Sequence, residues 1–168
     1  MRIIPYNTND SDEIDFVKSC INTIDFSNYI KDSQYETESE NTYIIYKNEE
    51  MVGLFFPNIS RFFEKVISSP TIYMQQRKSK FTAMVLGEII YLLFYEFSVD
   101  VIRILVYDNN KNMINLLVNF GINLDGIYKK AIIMNSNFRD IYFFSIHSNE
   151  VLSMKNKFKK LIYNVRSN

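Results

Sequence analysis

A chain of 168 residues, 47% hydrophobic and 23% charged, has the composition of a single globular core; at this length such a core buries roughly 70% of the unfolded surface. Nineteen basic residues cancel nineteen acidic ones, which argues against nucleic-acid partners, whose binding is driven by phosphate neutralisation. The single cysteine, Cys20, excludes an internal disulfide, and no Cys/His cluster has zinc-ligand spacing, so no metal is expected.

The chain opens on Arg2 to Tyr6, a short predicted strand, and reaches Asn, Asp and Ser too early for a signal-peptide apolar region. No apolar run approaches the roughly 20 residues of a bilayer span. A cytoplasmic protein without membrane attachment is the expectation. Asn9-Asp10-Ser11-Asp12 then offers helix N-caps ahead of Ile14, Val17, Cys20/Ile21 and Ile24, an apolar series at helical spacing. Residues 28–41 are polar and acidic without a period and read as a loop. Acidic side chains crowd the first quarter of the chain, which fits either an acidic acceptor-side surface or ordinary solvated faces.

Thr42 to Lys47 and Met51 to Phe56 are β-branched and aromatic runs joined by Asn48-Glu49-Glu50, which predicts a hairpin. Phe62 to Ile67 and Thr71 to Met74 supply one or two more strands, with Ser68-Ser69-Pro70 as a turn or bulge. Thr82 to Phe97 is apolar around most of its circumference and predicts a buried central helix. Val101 to Tyr107 reads as a strand buried on both faces. Asp108-Asn109-Asn110 caps a second helix that Gly121 ends. Ile127 to Asn135 and Phe138 to His147 form a second predicted hairpin. Residues 149–168 hold Val151, Met154, Phe158, Leu161/Ile162 and Val165 at helical spacing against a basic face, which predicts an amphipathic helix packed on the same domain or at a homodimer interface. This order makes an α/β (α+β) domain over residues 1–148, followed by that helix.

Gln75 to Thr82 lies between a strand and the start of the buried helix, where unpaired backbone N–H groups and the helix dipole favour an anion. Arg77, Lys78 and Lys80 add positive charge there, and the loop equally fits a solvated basic turn. It contains no glycine, which excludes the P-loop and the dinucleotide fingerprint. Cys20 falls on the apolar face of the first helix and reads as a buried small hydrophobe. His147, the sole histidine, reads as a surface or half-buried strand end.

Asn110-Lys111-Asn112-Met113-Ile114-Asn115-Leu116-Leu117-Val118-Asn119-Phe120-Gly121-Ile122 resembles the N-x-x-[AS]-[IM]-x-L-x-x-x-x-G-F helix of the GNAT superfamily, particularly its ribosomal-protein N-acetyltransferase-like branch. Leu124-Asp125-Gly126-Ile127-Tyr128-Lys129 resembles the family's x-E-G-x-x-R segment, and Asn135 to Tyr142 its N-G-x-x-x-D-x-Y turn and closing strand. The resemblance spans about Arg2 to Ile146. It implies a mixed, mostly antiparallel sheet with two central strands splayed and helices on both faces.

It also implies an enzyme that moves an acetyl group from acetyl-CoA, as co-substrate, to a primary amine: a protein α-amine, an amino sugar or a small amine. The alternative is a non-catalytic GNAT-fold module that binds CoA or another protein. By the same resemblance the pantetheine arm pairs with the strand near Tyr73 and Met74 and contacts Asn110, a residue that also reads as a plain N-cap. The pyrophosphate sits on the amides of Lys78, Ser79, Lys80, Phe81, Thr82 and Ala83, with Lys80 and Thr82 where small residues are usual. Glu64 is the implied base, although a glutamate there also fits a surface position on an edge strand. Leu117 stands where many relatives carry a tyrosine acid, and Tyr107 or Tyr73 are the candidate substitutes.

Overall fold

The computed structural model describes residues 1–23, 42–75, 79–134 and 136–151. The acidic stretch 28–41, Lys78 with the start of its loop, and residues 152–168 of the C-terminal amphipathic segment lie outside the described residues. The chain divides into two compact units, Met1–Asn58 with Thr71–Arg77, and Ile59–Pro70 with Lys78–Asn168. The fold is mixed α/β with mostly antiparallel pairing, as expected, its strands forming a four-stranded and a five-stranded sheet.

The first unit holds β1 (Arg2–Pro5), α1 (Ser11–Thr23), β2 (Tyr43–Lys47), β3 (Glu50–Phe56) and β6 (Thr71–Met74). Its four strands run in the order β1-β2-β3-β6, all antiparallel. Val17 and Cys20 of α1 meet Ile44 and Leu54 in one buried cluster, as the spacing of α1 requires. Asp10 caps α1, its Oδ1 accepting from the N–H groups of Asp12 and Glu13. Glu13 is itself buried, its carboxylate accepting from the Asn7 N–H at 2.7 Å and the Tyr46 hydroxyl at 2.8 Å. The β2–β3 turn is two residues long, with Asn48 at φ 48° and Glu49 at φ 67°. Such left-handed pairs match the twist of an antiparallel hairpin.

The second unit holds β4 (Ile59–Phe62), β5 (Lys65–Ser68), α2 (Ser79–Tyr95), β7 (Val101–Tyr107), α3 (Lys111–Asn119), β8 (Asn123–Met134), β9 (Asn137–His147) and a 3₁₀ turn at Ser148–Glu150. Its sheet runs β4-β5-β7-β9-β8 and is antiparallel except between β5 and β7. That parallel contact is brief, pairing Ile67 with Val101 and Ser68 with Ile102. The chain then passes Ser69-Pro70 into β6, which pairs with β3 instead. Val85, Ile89 and Leu93 of α2 are fully buried, as its all-round apolar composition demands. Among the described residues no helix is long and apolar enough to cross a membrane.

Two sequence expectations are corrected here. Phe62 to Ile67 is not one strand: it contains the two-residue turn Phe63-Glu64, with Phe63 at φ 54°. An aromatic residue in the left-handed region is sterically disfavoured, so nothing in the residue types announced a turn. Nor is β7 buried on both faces. Ile102, Ile104 and Val106 face the core, while Arg103 and Leu105 are exposed. The period-two pattern was masked because aliphatic Leu105 occupies an open position.

Two measurable consequences follow from the first unit. A Cβ added at Gly53 would clash with the Tyr73 carbonyl oxygen of β6 and sit 2.9 Å from Met74 Sδ. Gly53→Ala is expected to cost about 1–3 kcal/mol in urea unfolding. Burial, followed by the hydrogen bond from its hydroxyl to Glu13 and the charges of Glu13 and Asp10, raises the Tyr46 phenol to about 12, against a smaller lowering by Arg2. The unfolded phenol ionises near 10, so from about pH 10 to 12 the folded state holds more protons and stability falls as pH rises. Tyr46→Phe removes that part of the decline, which unfolding curves at pH 9, 10.5 and 11.5 would reveal.

Candidate functional site

The open face of the second sheet gathers a set of candidate functional side chains. Because β7 and β9 pair in register, Val101 lies opposite His147 and Arg103 opposite Ser145, bringing these four to one face. The β4–β5 hairpin borders the same surface with Phe62, Phe63, Glu64, Lys65 and Ile67, and Asp125 completes the rim. Together they line a depression of about 650 Å3. Asp125 falls where the β8–β9 register shifts between Leu124 and Gly126. A bulge of this kind re-aims the side chain of the extra residue. Phe62 and Phe63 touch edge to face, with ring centroids 4.6 Å apart, and remain mostly exposed.

Glu64 therefore lies in a hairpin turn on the rim of a depression, not on an edge strand. Among the described residues Glu64, Lys65, Arg103 and Asp125 make no ion pair and no side-chain hydrogen bond. No group of three His, Cys, Asp or Glu among the described residues could hold a metal ion.

The other sequence-derived positions are distributed as follows. Tyr73 and Met74 lie on β6 in the first unit, Tyr73 opposite Leu54 and Met74 opposite Gly53. Ser79, Lys80, Phe81, Thr82 and Ala83 begin α2 in the second unit, with no acidic residue in its first turn. Lys80 is exposed and Ala83 buried. That combination suits an anionic group at the helix start, since dipole and ammonium act with the same sign.

Asn110 follows the end of β7 and caps α3, its Oδ1 accepting from the Met113 N–H at 3.3 Å. Gly121, at φ 73°, ends that helix as predicted, with Ile122 N–H donating to the Leu117 carbonyl. Glu64 and Asn110 are not brought together: the depression begins at Val101, and six strand steps to Tyr107 cover roughly 20 Å.

Leu117, at the place of the family's tyrosine, is fully buried. Cys20 is buried as expected, and burial pushes its thiol up. His147 is an exposed strand end, and it lines the depression.

Near Asn110, Asp140 accepts from Lys129 Nζ at 2.9 Å and from the Lys130 N–H at 2.8 Å, which fastens Lys130 at φ 51°. The contact with Lys129 holds the Asp140 carboxyl below its usual range and raises the Lys129 ammonium. Arg103, Asp125, Ser145 and Lys65 were missed as site residues by sequence reasoning. The β5–β7 and β7–β9 registers and the β8 bulge unite them.

Asn110→Ala is expected to cost about 1 kcal/mol of stability through loss of the α3 cap. Asn110→Ser, which can still cap, should recover most of that loss in thermal unfolding.

No family model matches the sequence, and no curated protein does. Solved structures do match. A chimera of the spermidine N-acetyltransferase SpeG from Vibrio cholerae with hSSAT superposes with a TM-score of 0.70 at 11% identity, over 90% of this chain and 99% of that one. A single-residue mutant of the Vibrio cholerae enzyme gives 0.71 at 11% identity, over 90% and 95%. A GNAT-family acetyltransferase from Streptococcus pneumoniae gives 0.55 at 15% identity, over 63% and 66%. The chain thus has the fold of the GNAT acetyltransferases.

Proposed function

We propose that the protein is an acyl-CoA-dependent N-acetyltransferase that transfers an acetyl group to a primary amine by direct attack in a ternary complex. The observation that carries this reading is a fold shared along nine-tenths of the chain with structures named as N-acetyltransferases. The α3 motif, with Asn110 as its cap, supports it locally and favours the ribosomal-protein N-acetyltransferase-like branch. The start of α2, with Lys80 and no carboxylate, would receive the phosphates of acetyl-CoA. The reading extends to a transferase domain over residues 1–148, a C-terminal helix over 149–168 that packs on it or pairs two copies, and a cytoplasmic setting.

An alkylammonium with a pKa near 10.4 must shed its proton before attack, at about 4–5 kcal/mol at pH 7. Glu64, exposed on the rim of the depression, receives that proton directly or through water. The amine nitrogen then bonds to the thioester carbonyl carbon, the carbon–sulfur bond breaks, and the nitrogen's second proton passes through water to the departing thiolate, leaving the amide, the free thiol and one proton on Glu64 that returns to solvent. A thiol pKa near 8.5 makes that departure tolerable without a protein acid, which accords with a leucine at position 117.

Leu117 also favours a second reading, a GNAT-fold module that binds CoA or another protein without turnover. Calorimetry with acetyl-CoA, paired with thiol release over a panel of amines, separates the two. Under the transferase reading acetyl-CoA binds and at least one amine class releases thiol. Glu64→Gln then lowers kcat/KM roughly 100- to 10,000-fold and leaves acetyl-CoA affinity unchanged. Binding with no turnover for any amine supports the module, and an unaltered rate in Glu64→Gln removes Glu64 from the base role.

A further inference from the structure

We propose that the acceptor bound in the depression beside Glu64 is amphoteric: an amino-acid-like amine carrying a carboxylate as well as the reacting nitrogen. This rests on the transferase reading of the same site. The lining is balanced, with Glu64 and Asp125 supplying negative charge and Lys65 and Arg103 positive charge. All four are exposed, and among the described residues none is paired with another. Opposite charges that share a concavity without neutralising one another are available to both ends of a dipolar ligand.

The layout sets Arg103 apart from Asp125. Arg103 is on β7 and Asp125 on the bulge of β8, with β9 between them. Two interstrand steps place their backbones about 10 Å apart, room for a small zwitterion with an extended body. Lys65 follows Glu64 directly on the hairpin, adjacent to β7. A guanidinium offers a carboxylate two parallel donors, so Arg103 is the natural anchor for the acid end, and Glu64 takes the amine. Phe62 and Phe63 provide an unburied apolar wall for the ligand's body.

A purely cationic acceptor gains little in such a site. Each attraction to Glu64 or Asp125 is offset by repulsion from Lys65 or Arg103, whereas an amphoteric ligand matches both sets. Specificity here comes from the unfavourable pairing imposed on the wrong ligand as much as from the favourable one on the right ligand.

His147 gives a direct readout, since it lines the depression and is the only histidine. Its ring proton resonances are followed in the full-length protein while lysine and phenylalanine are titrated against cadaverine and phenethylamine, which lack only the carboxylate. Thiol release from acetyl-CoA is measured with the same four compounds. The amino acids are expected to shift His147 at concentrations at least tenfold below those their decarboxylated counterparts require. Arg103→Gln abolishes that preference, and Arg103→Lys keeps part of it.

Equal or tighter binding of the decarboxylated amines overturns the proposal, and so does the absence of any His147 shift with either amino acid. If thiol release occurs with cadaverine but not lysine, the transferase reading stands and the amphoteric acceptor falls. If the amino acids shift His147 with the expected preference while acetyl-CoA neither binds nor turns over, the amphoteric site stands and the transferase reading falls.

Discussion

Asp100 holds the second sheet together where the sheet is thinnest. β5 and β7 share only two register pairs, a short parallel contact for joining a hairpin to three further strands. Asp100 reinforces it in both directions: its carboxylate accepts from the Val66 N–H at 2.7 Å, and its own N–H donates to the Val66 carbonyl at 2.8 Å. Its carbonyl also accepts from the Ser148 N–H at 3.1 Å, which gathers the end of β9 to the same point. One residue therefore fixes three strand termini. Charge-assisted hydrogen bonds are shorter and stronger than neutral ones, so the carboxylate compensates for ladder bonds that so brief a strand contact cannot supply. Because β4 and β5 turn back on each other three residues before Val66, this clamp also decides where Phe62, Phe63 and Glu64 stand relative to the open face of β7.

What the sequence disclosed depended on whether a local rule was obeyed. The α3 segment was legible because each part has a dedicated residue: Asn110 to cap it, Leu117 and Phe120 to bury, Gly121 to leave it at positive φ. The β2–β3 hairpin was legible because Asn48-Glu49-Glu50 breaks two β-branched runs. The β4–β5 turn was not, because a phenylalanine occupies its left-handed position and no Gly, Asn or Pro marks it. The depression was less legible still. Arg103, Asp125 and Ser145 lie far apart in sequence, and they converge through the β7–β9 register and through a bulge that has no compositional mark beyond Gly126. A site built from strand register is visible only after the pairing is known.

Two kinds of position thus serve the proposed chemistry, and they are stabilised differently. Asn110 and the start of α2 are helix termini, where orphan backbone groups exist by construction and need only a suitable residue nearby. Glu64 stands in a two-residue turn whose backbone is strained at Phe63. Residues held in sparsely populated backbone regions persist where the surroundings over-determine them. The Asp100 clamp and the four β4–β5 register pairs do that here.

The full burial of Leu117 bears on which half of the proposed reaction the protein would assist. Departure of a thiolate with a thiol pKa near 8.5 costs about 2 kcal/mol relative to the protonated form at pH 7, whereas freeing an amine from its ammonium costs about 4–5 kcal/mol. A protein that lacks an acid on α3 forgoes the smaller of these contributions. One that lacked a carboxylate at the acceptor would forgo the larger. The structure sets Glu64 and Asp125, exposed and unpaired among the described residues, on the rim of the depression and fills the α3 position with core. Leu117 then serves packing, and under the proposed transferase reading the discrimination that governs rate would fall to the depression, where deprotonation of an amine and recognition of the rest of the acceptor would depend on neighbouring side chains of one hairpin and one open sheet face.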